Sequence, residues 1–167
     1  RMATEQSELA QASGDAKKEA LALLALADVH LNLGDPELTL KKVKQARRMA
    51  EKASDPKVEG RVSLTEANTY VSLGDTQETT KAATQAVSLF SKARDREGEA
   101  EAWRVLASAK EMARSQADEI VAPLNKALAI YRDLGFRNDE AATLSRIGQA
   151  HVAERPQEAM QAAKEPM

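Results

Sequence analysis

The chain repeats itself. Leu9, Met49, Leu89 and Ile130 share one column of a repeat whose successive spacings are 40, 40 and 41 residues. Ala27, Ala67, Ala107 and Gly148 share a second column, and Glu19, Glu59, Glu99 and Glu140 a third. A fixed period of this size belongs to chains made of stacked supersecondary units, because each unit has an apolar flank that only its neighbour can cover. Such a chain works through the long face its units share. An extended binding surface is therefore expected, not an enclosed active site.

Within each period the apolar residues recur at intervals of three and four. Leu23, Leu24, Ala27, His30 and Leu31 do so in residues 20–33, and Val43, Ala46, Met49, Ala50 and Ala53 in 40–53. The third unit carries Trp103, Leu106, Ala107 and Lys110, then Ile120, Leu124, Ala127, Leu128 and Tyr131. Every periodic segment reads as helix and none as strand, which makes the chain all-α. The punctuation agrees. Leu-Gly-Asp occurs at residues 33–35 and again at 73–75, where Gly can close one helix in the left-handed conformation and Asp can cap the next. Asp15, Asp55 and Asp95 mark a second recurring boundary, and Pro36 and Pro56 sit at first helical positions, where a missing N–H costs nothing. These signals predict helices near 3–13, 16–33, 36–53, 57–73, 76–93, 97–113, 117–134, 139–153 and 157–164. One array over 1–167 is expected, with units at 16–55, 56–95, 96–137 and 138–167, the last truncated, and 1–15 as the second helix of a preceding unit. Both ends then read as cuts through a longer array, or else as atypical caps.

Composition narrows the function classes. Charged residues make up 30% of the chain with a net of −2, so no global field favours nucleic acid or an anionic membrane. Only five residues are Phe, Tyr or Trp, so Ala and Leu carry the burial and few rings remain for base stacking. There is no cysteine, which excludes disulfides, Cys-based zinc sites and thiol catalysis. The longest apolar stretch, residues 20–33, is broken by Asp28 and His30 and is too short to span a bilayer. Residues 1–20 lack an apolar signal core, so a cytoplasmic location is the expectation. No Gly-rich phosphate loop, His-Glu-x-x-His motif or nucleophile elbow occurs, and His30 and His151 lie in one column on different units, too far apart to share a metal. Neither enzymatic activity nor a cofactor is expected.

The repeated columns resemble the tetratricopeptide repeat in its long form of roughly forty residues, as in kinesin light chains and LGN-type adaptors. The resemblance rests on Ala27, Ala67, Ala107 and Gly148 of the first helices, Ala46, Ala86 and Ala127 of the second helices, Tyr70, Trp103, both Leu-Gly-Asp turns and the segment 126–131. It covers nearly the whole chain. It implies a right-handed α-solenoid of stacked antiparallel helix pairs, and a protein or peptide partner lying along the concave face formed by first helices. Departures are visible. Thr39 and Thr79 stand where the family usually has Ala, Glu66 takes a usually apolar place, and Ala113-Arg114-Ser115 replaces the third Leu-Gly-Asp. That unit holds the extra residue, so its turn should bulge. Leu24 and Asp28 fall where the family's carboxylate clamp needs Lys and Asn, which disfavours that activity.

On the face so implied, Asp28, Asn68, Ser108 and Gln149 form one polar column, a possible ladder for a peptide backbone because Asn and Gln both donate and accept. The plain alternative is a solvated helix face. Flanking columns are Leu24, Leu64, Arg104 and Ser145, and Leu31, Val71, Glu111 and Val152. Apolar contact near Leu64 and Val71 would supply affinity, while Asn68, Arg104, Ser108 and Gln149 would supply register. Arg61 and Arg104 could meet an acidic group of the partner. Leu21 and Leu24 could instead pack on the preceding helix. Elsewhere, Lys41, Lys44, Arg48 and Lys52 fall at spacings of three and four, one stripe on a second helix. It reads either as a docking strip for an acidic partner, phosphate or lipid headgroup, or as a solvated convex face balanced by nearby acids. The expected function is a protein-interaction scaffold or adaptor. Alternatives are a sensory or regulatory module of a larger protein and a structural subunit docking through the basic helix. Self-association through open array ends is a further expectation.

Overall fold

The computed structural model describes Ala10, Ala12 and residues 14–162, with side chains as far as residue 153. Over these residues the chain is helical throughout, with no strand. Seven helices follow one another: α1 (Ala16–Asn32), α2 (Pro36–Ala53), α3 (Pro56–Leu73), α4 (Thr76–Ala93), α5 (Arg96–Met112), α6 (Ala117–Leu134) and α7 (Arg137–Ala162).

Local chemistry fixes their starts. The Asp55 carboxylate accepts from the backbone N–H of Lys57 at 3.0 Å, Asp35 from Leu38 at 3.0 Å, Asp75 from Glu78 at 3.0 Å and Asp95 from Gly98 at 3.2 Å. Each bond satisfies a donor that the first helical turn leaves open. The helix ends use the left-handed conformation. Gly34, Gly74, Gly14 and Gly135 adopt it, and so do Ser54 (φ 50°), Arg94 (φ 56°) and Arg114 (φ 52°). A Cβ in that conformation crowds the following carbonyl. Replacing Ser54, Arg94 or Arg114 by Gly is therefore expected to raise stability by about 0.5–1 kcal/mol each, readable as a higher urea midpoint at unchanged slope.

Two differences from the sequence expectation have physical causes. The predicted helices 139–153 and 157–164 are one element, since α7 runs through position 156 to Ala162. Proline removes one backbone donor but holds a helical φ, so a helix can cross it with the loss of one rung. The predicted helix 3–13 falls almost wholly outside the described residues. In the third unit Arg114 takes the left-handed place of Gly34 and Gly74, and the extra residue, Gln116, caps α6 without a side-chain bond. The Thr residues in Ala positions are satisfied locally. Buried Thr39 and Thr79 donate to the carbonyls of Asp35 at 2.7 Å and Asp75 at 2.6 Å, four residues back.

Each helix packs on the next, so α1–α2, α3–α4 and α5–α6 form successive pairs with α7 laid against α6. The first helices also touch one another, α1 on α3 and α3 on α5, while second helices make no comparable contact among the described residues. Fully buried Ala20, Ala27, Ala67, Ala100 and Ala107 on first helices, and Ala46, Ala86 and Ala127 on second helices, permit this close approach. Leu24 lies in the core with Val43, Val58 and Val62, so it packs and is not exposed. Buried Phe90 fills the space between α3 and α5, and its ring lies against Gly60 and Gly98.

Candidate functional site

Because first helices stack directly on one another, residues one repeat apart become neighbours across the same side. Two salt bridges link them in the same way. Lys17 Nζ lies 2.6 Å from Asp55 Oδ2, and Lys57 Nζ, one repeat on, lies 2.8 Å from Asp95 Oδ2. Each lysine thus holds the aspartate that caps the next first helix. The Lys17 hydrogen bond keeps the Asp55 carboxyl below the usual carboxylate range. Burial opposes ionisation of Asp95, but the bonds from Lys57 and the Gly98 N–H outweigh it, and that carboxyl is lowered too.

Beside these rungs, and lined in part by Lys57 and Asp95, lies a hollow of ≈ 340 Å³ with Leu64 and Phe90 among its apolar residues and Asp28, Arg61, Asn68 and Glu101 among its polar ones. Leu64 is 9% exposed, and most of its side chain packs with Ala86, Phe90 and Ala102. Asp28 accepts from Thr65 Oγ1 at 3.4 Å. Burial pushes its carboxyl above the usual range, partly offset by that bond and by Arg61. Glu101 is also raised, first by desolvation and then by repulsion from Glu97, with Arg104 and Arg61 opposing. Arg61, Asn68 and Glu101 are exposed, and none makes a hydrogen bond or ion pair among the described residues. Arg61 and Glu101 occupy one column on neighbouring first helices, so the repeat places opposite charges side by side.

A second hollow of ≈ 270 Å³ adjoins the first through Leu64, Asn68 and Glu101, and adds Arg104, Ser108 and Arg146. The three added residues are already engaged. Arg104 Nη1 reaches Asp139 Oδ1 at 3.4 Å. Ser108 Oγ donates to the Arg104 carbonyl at 3.3 Å and accepts from Arg146 Nη2 at 3.0 Å. Arg146 also donates to the Arg104 carbonyl at 3.3 Å and to Glu111 Oε2 at 2.9 Å, which ties α7 to α5. A third hollow of ≈ 540 Å³, at the α5–α6 turn, shares Arg146 and contains Gln149, Ala150 and Ile120.

The expected site residues are therefore distributed. Asp28, Leu64 and Asn68 meet in the first hollow, Arg104 and Ser108 join Leu64 and Asn68 in the second, and Gln149 belongs to the third. Val71 is half-buried and lines none of the three. Of the polar column, Asn68 and Gln149 make no side-chain hydrogen bond among the described residues, whereas Ser108 makes two and Asp28 accepts one. Lys41, Lys44, Arg48 and Lys52 are exposed on α2, away from every hollow described, and the neighbouring Arg47 turns aside to pair with Glu66. Glu101 and Arg146 were not expected. The column shared with Arg61 could have flagged Glu101. Nothing flags Arg146, whose column otherwise reads Ala25, Thr65 and Val105.

Among the described residues no three His, Asp or Glu side chains gather as a metal-binding group, and no helix is long and apolar enough to cross a membrane. No protein-family model and no curated protein matches the chain.

Proposed function

We propose that this chain is a protein-interaction scaffold, a right-handed solenoid of the tetratricopeptide type that holds a segment of a partner protein along its first helices. The observation that carries this reading is the pair of adjoining hollows, in which Arg61, Asn68 and Glu101 are exposed with unspent hydrogen-bonding capacity above Leu64 and Phe90. Direct contact between first helices supports the curvature such a fold needs. A row of separate polar groups over a narrow apolar floor suits a bound chain, which offers an amide every residue and a side chain every second. Asn68 can hold one amide by donor and acceptor together, Arg61 suits a carboxylate or carbonyl, and Glu101 suits a cation or N–H. These roles need neither a cofactor nor a catalytic group.

Photo-crosslinking tests the reading. A crosslinker placed at position 68 should capture a discrete partner from the native source, while one at exposed Gln85 on α4 should not. The triple change Arg61→Ala, Asn68→Ala and Glu101→Ala should weaken retention of that partner by about tenfold or more with the fold intact. Equal capture from both positions, or retention unaffected by the triple change, moves the partner off this face.

A further inference from the structure

Several cations of this chain answer acids on neighbouring helices, as Lys17 does Asp55, Lys57 does Asp95, Arg96 does Asp133, Arg104 does Asp139 and Arg146 does Glu111. The outer row of α2 does not, although Arg47 on the same helix pairs with Glu66. Lys41, Lys44, Arg48 and Lys52 are exposed in one row, and none makes an ion pair or hydrogen bond among the described residues. Glu37 and Glu51 on the same helix pair with none of them. We infer that this row is a second docking surface, separate from the first-helix groove, that takes an acidic helix of a partner protein.

The fold does not require these charges. The equivalent places one repeat on are Lys81, Thr84, Ser88 and Lys92, and one further on Ala122, Asn125, Ala129 and Asp133. The same structural positions therefore accept small, polar or acidic residues. Like charges at spacings of three and four repel and weaken the helix that carries them, so folding alone selects against the row. What α2 does provide is rigidity. Thr39, Val43, Ala46 and Ala50 are buried on its inner face, and its ends are fixed by the Asp35 cap and the left-handed Ser54. The row is thereby presented as a straight line about 16 Å long, at the rise of an α-helix.

That line selects among anions. An acidic helix alongside α2 repeats its carboxylates at the same interval, so each cation can face one in register. A membrane surface would gain from apolar side chains interleaved with the cations. Along this face the only large apolar residue exposed is Leu38, at the helix start. Single-stranded nucleic acid would want aromatic rings between the cations, and the row has none.

The test uses the chain as it stands with an Ala-based helical peptide bearing one Glu stripe at i, i+3, i+7 and i+11, and an isomer of equal composition with its Glu scattered around the helix. The striped peptide should bind at low salt, weaken steadily as salt rises, and exceed the scattered isomer by about tenfold. Lys44→Glu with Arg48→Glu should lower that affinity by about tenfold or more, and Lys41→Gln with Lys52→Gln should lower it less, with helicity and thermal midpoint held or raised in both. Equal binding of the two peptides, or equal binding by parent and variants, overturns the proposal. So does retention on phosphatidylserine vesicles or on an oligonucleotide stronger than on the striped peptide.

Discussion

Replacing Phe90 by Ala is expected to lower the stability of the chain by about 3–5 kcal/mol, the range for truncating a large buried ring. Phe90 is 1% exposed, and the same column holds Ala50 one repeat earlier and Tyr131 one repeat later. Its ring occupies a space that two glycines leave open. A Cβ at Gly98 would lie 2.5 Å from the ring, and one at Gly60 2.9 Å. Truncation therefore leaves a void between α3, α4 and α5, bounded by glycines whose lack of side chains prevents refilling. Because Phe90 also lines the first hollow, that void opens towards the groove. The thermal midpoint should fall by roughly 10 °C. The converse change is as informative. Gly98→Ala pushes a methyl into the ring and is expected to cost about 1–3 kcal/mol by overpacking. Combined with Phe90→Leu, it should cost less than the two changes summed, because the smaller side chain yields the space. Additive losses in urea titrations of the four proteins would refute contact between ring and glycine as their origin.

How far the sequence can be read depends on which interactions obey the repeat. Helix positions follow from columns of small and apolar residues, and helix starts from the recurrent aspartates, since a cap needs only a carboxylate a few residues from its donor. Lys17 and Lys57 were also within reach, because each stands at the same offset from the aspartate it pairs with. Gly60 and Gly98 were not. Read along the chain, a glycine within a helix marks weakness. Its role here emerges only when a ring from another helix is brought against it. The polar column of Asp28, Asn68, Ser108 and Gln149 illustrates a second limit. Periodicity assigns these residues equivalent places on successive helices, but it cannot tell which will be engaged by their own chain. Ser108 is bound by Arg146, a residue that breaks its own column. The run of α7 across position 156 is a third case, since a local breaker signal was outweighed by continuity of the helix around it.

Arg146→Met is expected to loosen α7 from the rest of the molecule while leaving α1–α4 unchanged. One face of α7 meets the α5–α6 pair through Ile147 and Ala150, which pack on Ala107, Ile120 and Leu124. On another, Leu144 is 44% exposed and Val152 62%. Apolar packing thus holds α7 on a single flank, and polar contacts add the rest of its link to α5. Arg146, whose side chain is 22% exposed, supplies most of them. It bonds to the Arg104 carbonyl at 3.3 Å, Ser108 Oγ at 3.0 Å and the two Glu111 carboxylate oxygens at 3.3 and 2.9 Å. Hydrogen bonds involving a charged group contribute about 1.5–3 kcal/mol, and those lost here act on one helix, so amide exchange in α7 should accelerate about 10- to 100-fold. Arg146→Lys should not restore protection, because an ammonium lacks the planar fork that reaches three acceptors at once. Exchange that is unaltered in α7, or that rises equally in α1 and α7, would mean that α7 is held by its apolar flank alone, with Arg146 a passive wall of the groove.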